Sequence, residues 1–382
     1  MEKDHKICLV LKDLPVGGVE EVFFSLAQEL VVNNYDVNLV ILKNEYSLEM
    51  LNRFKDLGLN VQIISNLNLF YRSIKLTSII NSLFSPGFKG KVGVISAKET
   101  ANFICAFSKI FSYLLGKSKK IEFIVTRHVS VNPNISKNDA SNITKYFYKF
   151  YKLLNLKVVS CSKGLSEEIA EFCNVKCITV YNPIISETFK LKVKNSLKAN
   201  NHHFFNNRED TLKICFVGRL AFQKGLDLLF QALEQVNRPF QLVVAGDGDQ
   251  RKLLQSKINS VESFKNNKDT IVFLGTVSEP FALIKESDLL IMPSRWEGLP
   301  TILIEALYLK KCVLASDCNF GPREIIHKSL QHSLFEVNNV SELAKKIEMF
   351  ESYVIEDAIH NSMMSKFSQK MSTQKYLKIL FE

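Results

Sequence analysis

Short apolar runs rich in β-branched residues recur along the first half of the chain. They fall at Ile7 to Leu11, Val37 to Leu42, Val61 to Ile64, Val92 to Ile95, Phe123 to Thr126 and Val158 to Cys161. Between them the apolar positions keep a helical spacing, as in Val22, Phe23, Leu26, Ala27, Leu30 and Val31. Such alternation predicts a parallel sheet covered by helices. After about Pro183 it lapses into the polar stretch Lys190 to Asp210, with Asn200, Asn201, His202, His203, Asn206 and Asn207, which reads as a linker or long surface loop. It restarts at Leu212 to Val217 and continues through Gln241 to Ala245, Ile271 to Leu274, Leu289 to Met292 and Cys312 to Ala315. The predicted fold class is therefore α/β, with two Rossmann-like doubly wound parallel-sheet domains, residues 1–185 and 212–365, joined by 186–211. Ligands sit at the carboxyl ends of such strands, so two facing domains place a site in a central cleft.

Composition narrows this picture only in places. The chain has 382 residues, 46% of them hydrophobic, enough for two cores of ordinary size. The apolar run near the N-terminus is too short for a signal-peptide core, and the most apolar stretch, Phe103 to Leu115, is broken by Lys109. A cytoplasmic protein is expected, able to touch the inner face of a membrane without crossing it. The eight cysteines lack C-x-x-C spacing and read as reduced core thiols. A net charge of +10 invites an anionic partner: nucleic acid, anionic lipid or a phosphate-bearing substrate.

Candidate chemistry clusters just after the predicted strands. Arg295-Trp296-Glu297-Gly298-Leu299-Pro300-Thr301-Ile302-Leu303-Ile304-Glu305 follows one strand and opens a helix. Pro300 suits a first helical turn, and the free amides of Thr301 and Ile302 would point at an anion such as a diphosphate. Glu305, just over a turn further on, is placed to accept hydrogen bonds from ribose hydroxyls, and Glu297 to face a sugar. The segment resembles the E-x7-E motif of retaining glycosyltransferase family 4, of GT-B fold, and further landmarks of that family recur in order. Val217-Gly218-Arg219-Leu220 with Gln223-Lys224-Gly225 is similar to its glycine, arginine and lysine block, which implies Arg219 and Lys224 as diphosphate clamps. Ala245-Gly246-Asp247-Gly248-Asp249 and Gly275-Thr276-Val277 resemble its next two strand-end loops, the latter implying Val277 near the base. Ser316-Asp317-Cys318 with Gly321-Pro322-Arg323-Glu324-Ile325 looks like the transferases that build bacterial surface polysaccharides such as O-antigen. The segment Gln369 to Glu382, within 366–382, looks like the family's final helix that returns to the first domain.

In the first half, Pro15-Val16-Gly17-Gly18-Val19-Glu20 lies between a strand and a helix. The resemblance assigns Gly17 and Gly18 to the cleft beside the donor phosphate; the alternative is a plain tight turn. His128 directly follows a strand, where the family commonly carries a histidine, and it either bonds a donor-sugar hydroxyl or is simply buried. Arg127 beside it either binds an acceptor phosphate or has no such task. Residues 107–157 hold ten Lys and Arg against two acids, and Lys145, Tyr146, Phe147, Tyr148, Lys149, Phe150, Tyr151 and Lys152 interleave aromatics with bases in helical register. That is the makeup of a helix lying on an anionic bilayer, or of a core-packed helix with a solvated lysine face.

The resemblance implies transfer of a hexose or N-acetylhexosamine from a nucleotide-sugar substrate, a UDP-sugar first among the donors. The acceptor is a saccharide, lipid-linked or part of a lipopolysaccharide or capsule, and anomeric configuration is retained. No cofactor is implied. Asp247-Gly248-Asp249 has the D-x-D form of a metal site, but Arg219, Lys224 and a helix N-terminus already supply positive charge, so none of the donor-binding residues is assigned to a metal. His202 and His203, in their Asn-rich loop, read as solvated. A nicotinamide oxidoreductase lacks its G-x-G-x-x-G, a nucleic-acid binder lacks a recognisable module, and a GT-B epimerase or phosphorylase stays as the nearer alternative.

Overall fold

The structure is a computed structural model and describes residues 5–65, 67–117, 120–132, 143–199, 203–206, 210–260 and 271–382. It divides into two compact units, Met1–Ile184 with Lys366–Glu382, and Ile185–Ser365. Unit 1 runs β1 (Lys6–Leu11), α1 (Gly18–Val32), β2 (Asp36–Ile41), α2 (Leu48–Asp56), β3 (Asn60–Ile63), α3 (Leu69–Ser82), β4 (Val92–Ala97), α4 (Glu99–Leu114), β5 (Ile121–Arg127), α5 (Ile143–Leu153), β6 (Lys157–Ser160), α6 (Lys163–Cys173) and β7 (Cys177–Thr179). Its strands form one parallel sheet in the order β3-β2-β1-β4-β5-β6-β7. The inner strands β1, β2, β4, β5 and β6 are buried on both faces, which is why they read in sequence as continuous apolar runs, whereas the edge strands β3 and β7 are only partly covered.

Unit 2 runs α7 (Glu187–Ala199), β8 (Leu212–Val217), a 3₁₀ turn Phe222–Lys224, α8 (Leu226–Leu233), β9 (Phe240–Ala245), α9 (Arg251–Ser260), β10 (Ile271–Gly275), α10 (Phe281–Glu286), β11 (Leu289–Met292), α11 (Thr301–Tyr308), β12 (Cys312–Ser316), α12 (Pro322–Ile325), β13 (Leu334–Phe335), α13 (Val340–Glu348) and α14 (Asp357–Ser365). Its parallel sheet has the order β10-β9-β8-β11-β12-β13. Both sheets reverse direction once, between β1 and β4 in unit 1 and between β8 and β11 in unit 2. The loops that leave the two strands at such a reversal run to opposite sides and leave a crevice at the carboxyl ends.

The structure differs from the sequence reading in two places. The stretch taken as linker carries α7, whose polar composition hides an apolar face of two buried residues one turn apart, Phe189 and Val193. Phe189 meets Phe281 of α10 and Tyr308 of α11 edge-on, with ring centroids 5.5 and 5.0 Å away. Strands β7 and β13 are three and two residues long, too short to show a period. Of the Asn-rich loop, Asn200, Asn201, His202 and Asn207 lie outside the described residues; His203 is 83% exposed, its Nδ1 3.8 Å from Glu286.

All eight cysteines are free. No helix among the described residues is long and apolar enough to cross a membrane.

The last helix, α15 (Gln369–Phe381), belongs to unit 1 and closes its core. Ser368 caps it, accepting from Met371 N, and Tyr376 and Leu380 sink among the residues of β1 and α1. Gly93 of β4 makes the room, since a Cβ there would stand 2.6 Å from Leu380 Cδ1. Polar ties fix the register: Gln369 Nε2 donates to Ser25 O at 2.6 Å, and Ser372 Oγ to Tyr181 O at 2.7 Å. Leu380 is 1% exposed, so Leu380→Ala is expected to cost about 2–5 kcal/mol, read as an earlier urea transition by circular dichroism. An unchanged midpoint would mean that α15 merely decorates unit 1.

Candidate functional site

At the reversal in unit 2, the loop after β8 and the loop after β11 are zipped together. Arg295 N donates to Gln223 O at 2.7 Å, and Gln223 Nε2 to Trp296 O at 2.8 Å. The Arg295 guanidinium pairs with both oxygens of Asp227 at 2.8 and 2.7 Å and lies 3.8 Å from the centre of the Phe222 ring. This close approach depends on Gly225, at φ 66°, where a Cβ would stand 2.0 Å from Pro293 O. A similar constraint holds at Gly246, φ 146°, whose Cβ would stand 1.8 Å from Gly218 O.

The zipped loops bring Lys224 to Glu297. The carboxylate is 7% exposed, and its Oε1 accepts from Lys224 Nζ at 2.7 Å and from Ser294 Oγ at 2.7 Å. A charge buried this far persists only when it is paired and hydrogen-bonded, and here it is both. Ser294 is held in turn, its carbonyl accepting from Ser316 Oγ of β12. Arg219 stands exposed in the loop after β8 and, among the described residues, has no ion-pair partner. Asp247 is already engaged, with Oδ1 accepting from Gly248 N at 2.8 Å and Oδ2 pairing with Arg251 at 2.8 Å.

The β11 loop runs through buried Gly298 and Leu299 into α11, whose N-cap is Pro300, with no side-chain cap. The amides of Thr301 and Ile302 therefore open at the positive end of the helix without an intrahelical partner. Glu305 lies one turn on, partly buried. Burial raises its carboxyl to about 7, against the pull of a hydrogen bond from the Thr301 side chain and of the Lys192 charge on α7. Val277 follows β10, at the sheet edge two strands from β8, where β10 pairs with β9 and Gly246 N donates to Gly275 O at 2.7 Å.

Unit 1 builds a second charged group at its own reversal. Gly17 and Gly18 open α1, again without a side-chain cap, and Glu20 in the first turn is 2% exposed. Lys98, just past β4, reaches Glu20 at 2.6 Å and also pairs with Asp13, just past β1. Its backbone sits at φ 71°, a conformation that costs a residue with a side chain of order 1–3 kcal/mol. Burial works against the Lys98 charge, but the hydrogen bonds that its ammonium donates to Asp13 and Glu20 outweigh it and keep it protonated.

His128 follows β5. Burial lowers its imidazole to about 4, with the Arg127 and Lys98 charges adding to the effect, so it is neutral near neutral pH. Arg127, considered as a ligand for an acceptor phosphate, is 5% exposed and spent on the protein: Nε donates to Val129 O and Nη2 to Ser130 O, each at 2.8 Å, and Glu99 pairs with the guanidinium. It shapes the loop after β5 instead.

The sequence reading missed Ser294, Asp13 and Lys98. Lys98 carried the same signal as His128, a polar residue directly after a strand; a lone serine carries none. The aromatics of α5, Tyr146 excepted, also turn inward. Tyr148 and Tyr151 are fully buried, and Phe147 and Phe150 pack on Phe103 and Phe107 of α4 at centroid distances of 4.8 to 6.4 Å within the cluster.

Comparison with known proteins agrees with this arrangement. Residues 198–371 match the family described as Glycosyl transferases group 1. An uncharacterised glycosyltransferase of Methanocaldococcus jannaschii is 29% identical over 76% of this chain and 70% of its own length. A Campylobacter jejuni enzyme, GalNAc-α-(1→4)-GalNAc-α-(1→3)-diNAcBac-PP-undecaprenol α-1,4-N-acetyl-D-galactosaminyltransferase, is 24% identical over 90% of this chain and 88% of its own. Among solved structures, a Rickettsia africae glycosyltransferase superposes with a TM-score of 0.73 at 18% identity, covering 98% of this chain and 99% of that one. The Anabaena protein HepE in complex with UDP gives 0.68 at 13% identity, over 98% and 96%. With a matching family model, curated glycosyltransferase relatives and the fold in agreement, the chain is a glycosyltransferase of the GT-B kind, most of whose second unit matches the model of the Glycosyl transferases group 1 family.

Proposed function

We propose that the chain is a retaining, metal-independent glycosyltransferase that moves a hexose or N-acetylhexosamine from a UDP-sugar to a lipid-linked or surface-polysaccharide acceptor. The observation that carries this reading is the Lys224–Glu297 pair beside the uncapped start of α11 at the sheet reversal. An anionic diphosphate laid there meets the amides of Thr301 and Ile302 and the charges of Lys224 and Arg219. Fixed positive groups of this kind stabilise the charge that grows on a departing diphosphate, with neither a metal ion nor a proton donor. Glu305 accepts the ribose hydroxyls, which add donors to the one that the Thr301 side chain gives its carboxyl. For transfer itself we favour same-face displacement: the C1–O bond to the diphosphate breaks, the acceptor oxygen bonds C1 on the same face, and the acceptor proton passes to the leaving phosphate oxygen. Glu297, held by Ser294 and Lys224 on one oxygen, then orients the sugar and the lysine instead of attacking C1. The UDP in the HepE structure and the undecaprenol diphosphate in the Campylobacter enzyme's name support the choice of donor and acceptor class.

For the anionic membrane surface, the outward residues of α4 and α5 are the better support. Tyr113, Leu114 and Leu115 are 71, 72 and 59% exposed, and Tyr146 and Leu153 are 69 and 81% exposed, with Lys149 and Lys152 among them. Vesicles containing phosphatidylglycerol are expected to sediment the protein where neutral vesicles do not, and Leu114→Ser with Leu115→Ser to weaken that association. Equal sedimentation with both vesicle types would remove the membrane from the reading.

Calorimetric titration should show UDP binding alike with and without magnesium, weakened about tenfold or more by Glu305→Ala, which is a loss of about 1.4 kcal/mol or more. Because the ionised Glu305 carboxylate is the better acceptor and its free carboxyl sits at about 7, UDP binding should release a proton near pH 7 and tighten as pH rises from about 6 to 8. Glu305→Gln should lack that share of the release. GDP binding in place of UDP, or binding that needs magnesium, would sink the donor assignment.

Once a donor and acceptor pair is found, Arg219→Ala and Lys224→Ala are each expected to lower kcat by about 10²–10³. Product NMR should show the donor's anomeric configuration kept; an inverted product or an epimerised nucleotide-sugar would overturn the mechanism.

A further inference from the structure

His128 makes one hydrogen bond that decides its tautomer. Its Nε2 lies 3.1 Å from Thr126 Oγ1. That hydroxyl has a single proton, and it is already given to the Ser96 carbonyl at 2.8 Å, a group that only accepts. Towards His128, therefore, Thr126 acts as an acceptor and the imidazole nitrogen must be the donor. The geometry around Thr126 is firmly held. Thr126, Ser96 and Asn102 are 1, 0 and 1% exposed; Asn102 Nδ2 donates to Thr126 O at 3.0 Å and Ser96 Oγ to Asn102 Oδ1 at 2.8 Å. The other ring nitrogen, Nδ1, is buried and has no hydrogen-bond partner among the described residues. A buried polar atom left unpaired costs free energy that a ligand group can recover.

We propose that Thr126 is a positioning residue for glycosyl transfer: it holds His128 as the Nε2–H tautomer, which leaves Nδ1 as a bare acceptor for one hydroxyl of a bound saccharide. The inference rests on the reading of the chain as a sugar transferase with His128 at the sugar. It adds that His128 takes a proton from a hydroxyl into a hydrogen bond and gives none. The opposite tautomer would present an N–H to the ligand and favour a phosphate or carbonyl oxygen. The positive groups around the ring, Arg127 beside it and Lys98 beyond β4, disfavour a second proton, so the imidazole does not become a double donor near neutral pH.

The test uses the full-length protein and two readouts. Proton–nitrogen NMR of its seven histidines, with His128 assigned through His128→Gln, reports which ring nitrogen carries hydrogen without any substrate present. UDP release from UDP-N-acetylglucosamine, UDP-galactose and UDP-glucose gives kcat/KM. The expected result is Nε2–H in the wild type, and a mixed or Nδ1–H signal in Thr126→Val with kcat/KM down about three- to tenfold. Thr126→Ser, which keeps the hydroxyl, should restore both. A wild-type Nδ1–H signal, or a Thr126→Val protein with the wild-type tautomer or with undiminished kcat/KM, overturns the proposal. His128→Ala distinguishes the two levels. If it cripples turnover while Thr126→Val does not, only the role of Thr126 falls; if it too is silent, the sugar-contact reading falls with it. Should none of the three donors be consumed, the donor assignment fails while the NMR arm still decides the tautomer.

Discussion

A carboxylate buried at the end of a sheet must find a cation and a hydrogen-bond donor, and in unit 2 that requirement shapes everything around Glu297. The desolvation cost of a lone carboxylate is several kcal/mol, a large share of the stability margin of most domains. Lys224 and Ser294 meet it on the same oxygen. For Lys224 to arrive, the loop after β8 must press onto the end of β11, and Gly225 allows that contact because any side chain would strike Pro293 O. The Arg295–Asp227 pair and the Gln223 bonds then lock the approach. Fold, loop and charge pairing are thus one constraint expressed at three scales.

Unit 1 answers a similar demand differently. Glu20 and Asp13 share Lys98, a residue that accepts a left-handed backbone to reach them. The positive group sits beside a histidine that burial has already pushed towards neutrality. Each unit therefore gathers its charges at the point where its own sheet reverses, and in each the helix that opens there, α1 or α11, begins without a side-chain cap. Among the helices elsewhere, α2, α3, α6 and α15 are closed by Ser47, Asn68, Ser162 and Ser368, while the short α10 and α12 also begin without a side-chain cap. Amides left open at a sheet reversal keep their hydrogen-bonding capacity for something other than the chain.

Two titratable groups are set apart by environment. His128 is held neutral by burial and by nearby cations, while Glu305 is held near 7 by burial with too few donors to compensate. The first is suited to neutral hydrogen bonding. The second is suited to a ligand that brings its own hydroxyl donors. Neither property belongs to the residue type; both come from what the fold packs around it.

The sequence by itself determined the two parallel sheets, because strands buried on both faces must be apolar throughout and their helices must keep a 3.6-residue period. It also marked the loops where chemistry gathers, since Gly218, Arg219, Lys224, Glu297 and Glu305 follow predicted strands at fixed spacing. What it could not fix were contacts whose partners are remote along the chain. Glu297 meets Lys224 across 73 residues, Lys98 meets Asp13 across 85, and Phe189 and Val193 of α7 find their apolar partners only once α10 and α11 are in place. The aromatics of α5 show the same limit: helical spacing allowed a bilayer or a core, and only packing on Phe103 and Phe107 showed that Phe147 and Phe150 turn inward while Tyr146 stays exposed. Periodicity is local and survives in the string of residues, whereas pairing, burial and tautomer depend on which distant groups the closed sheet brings together.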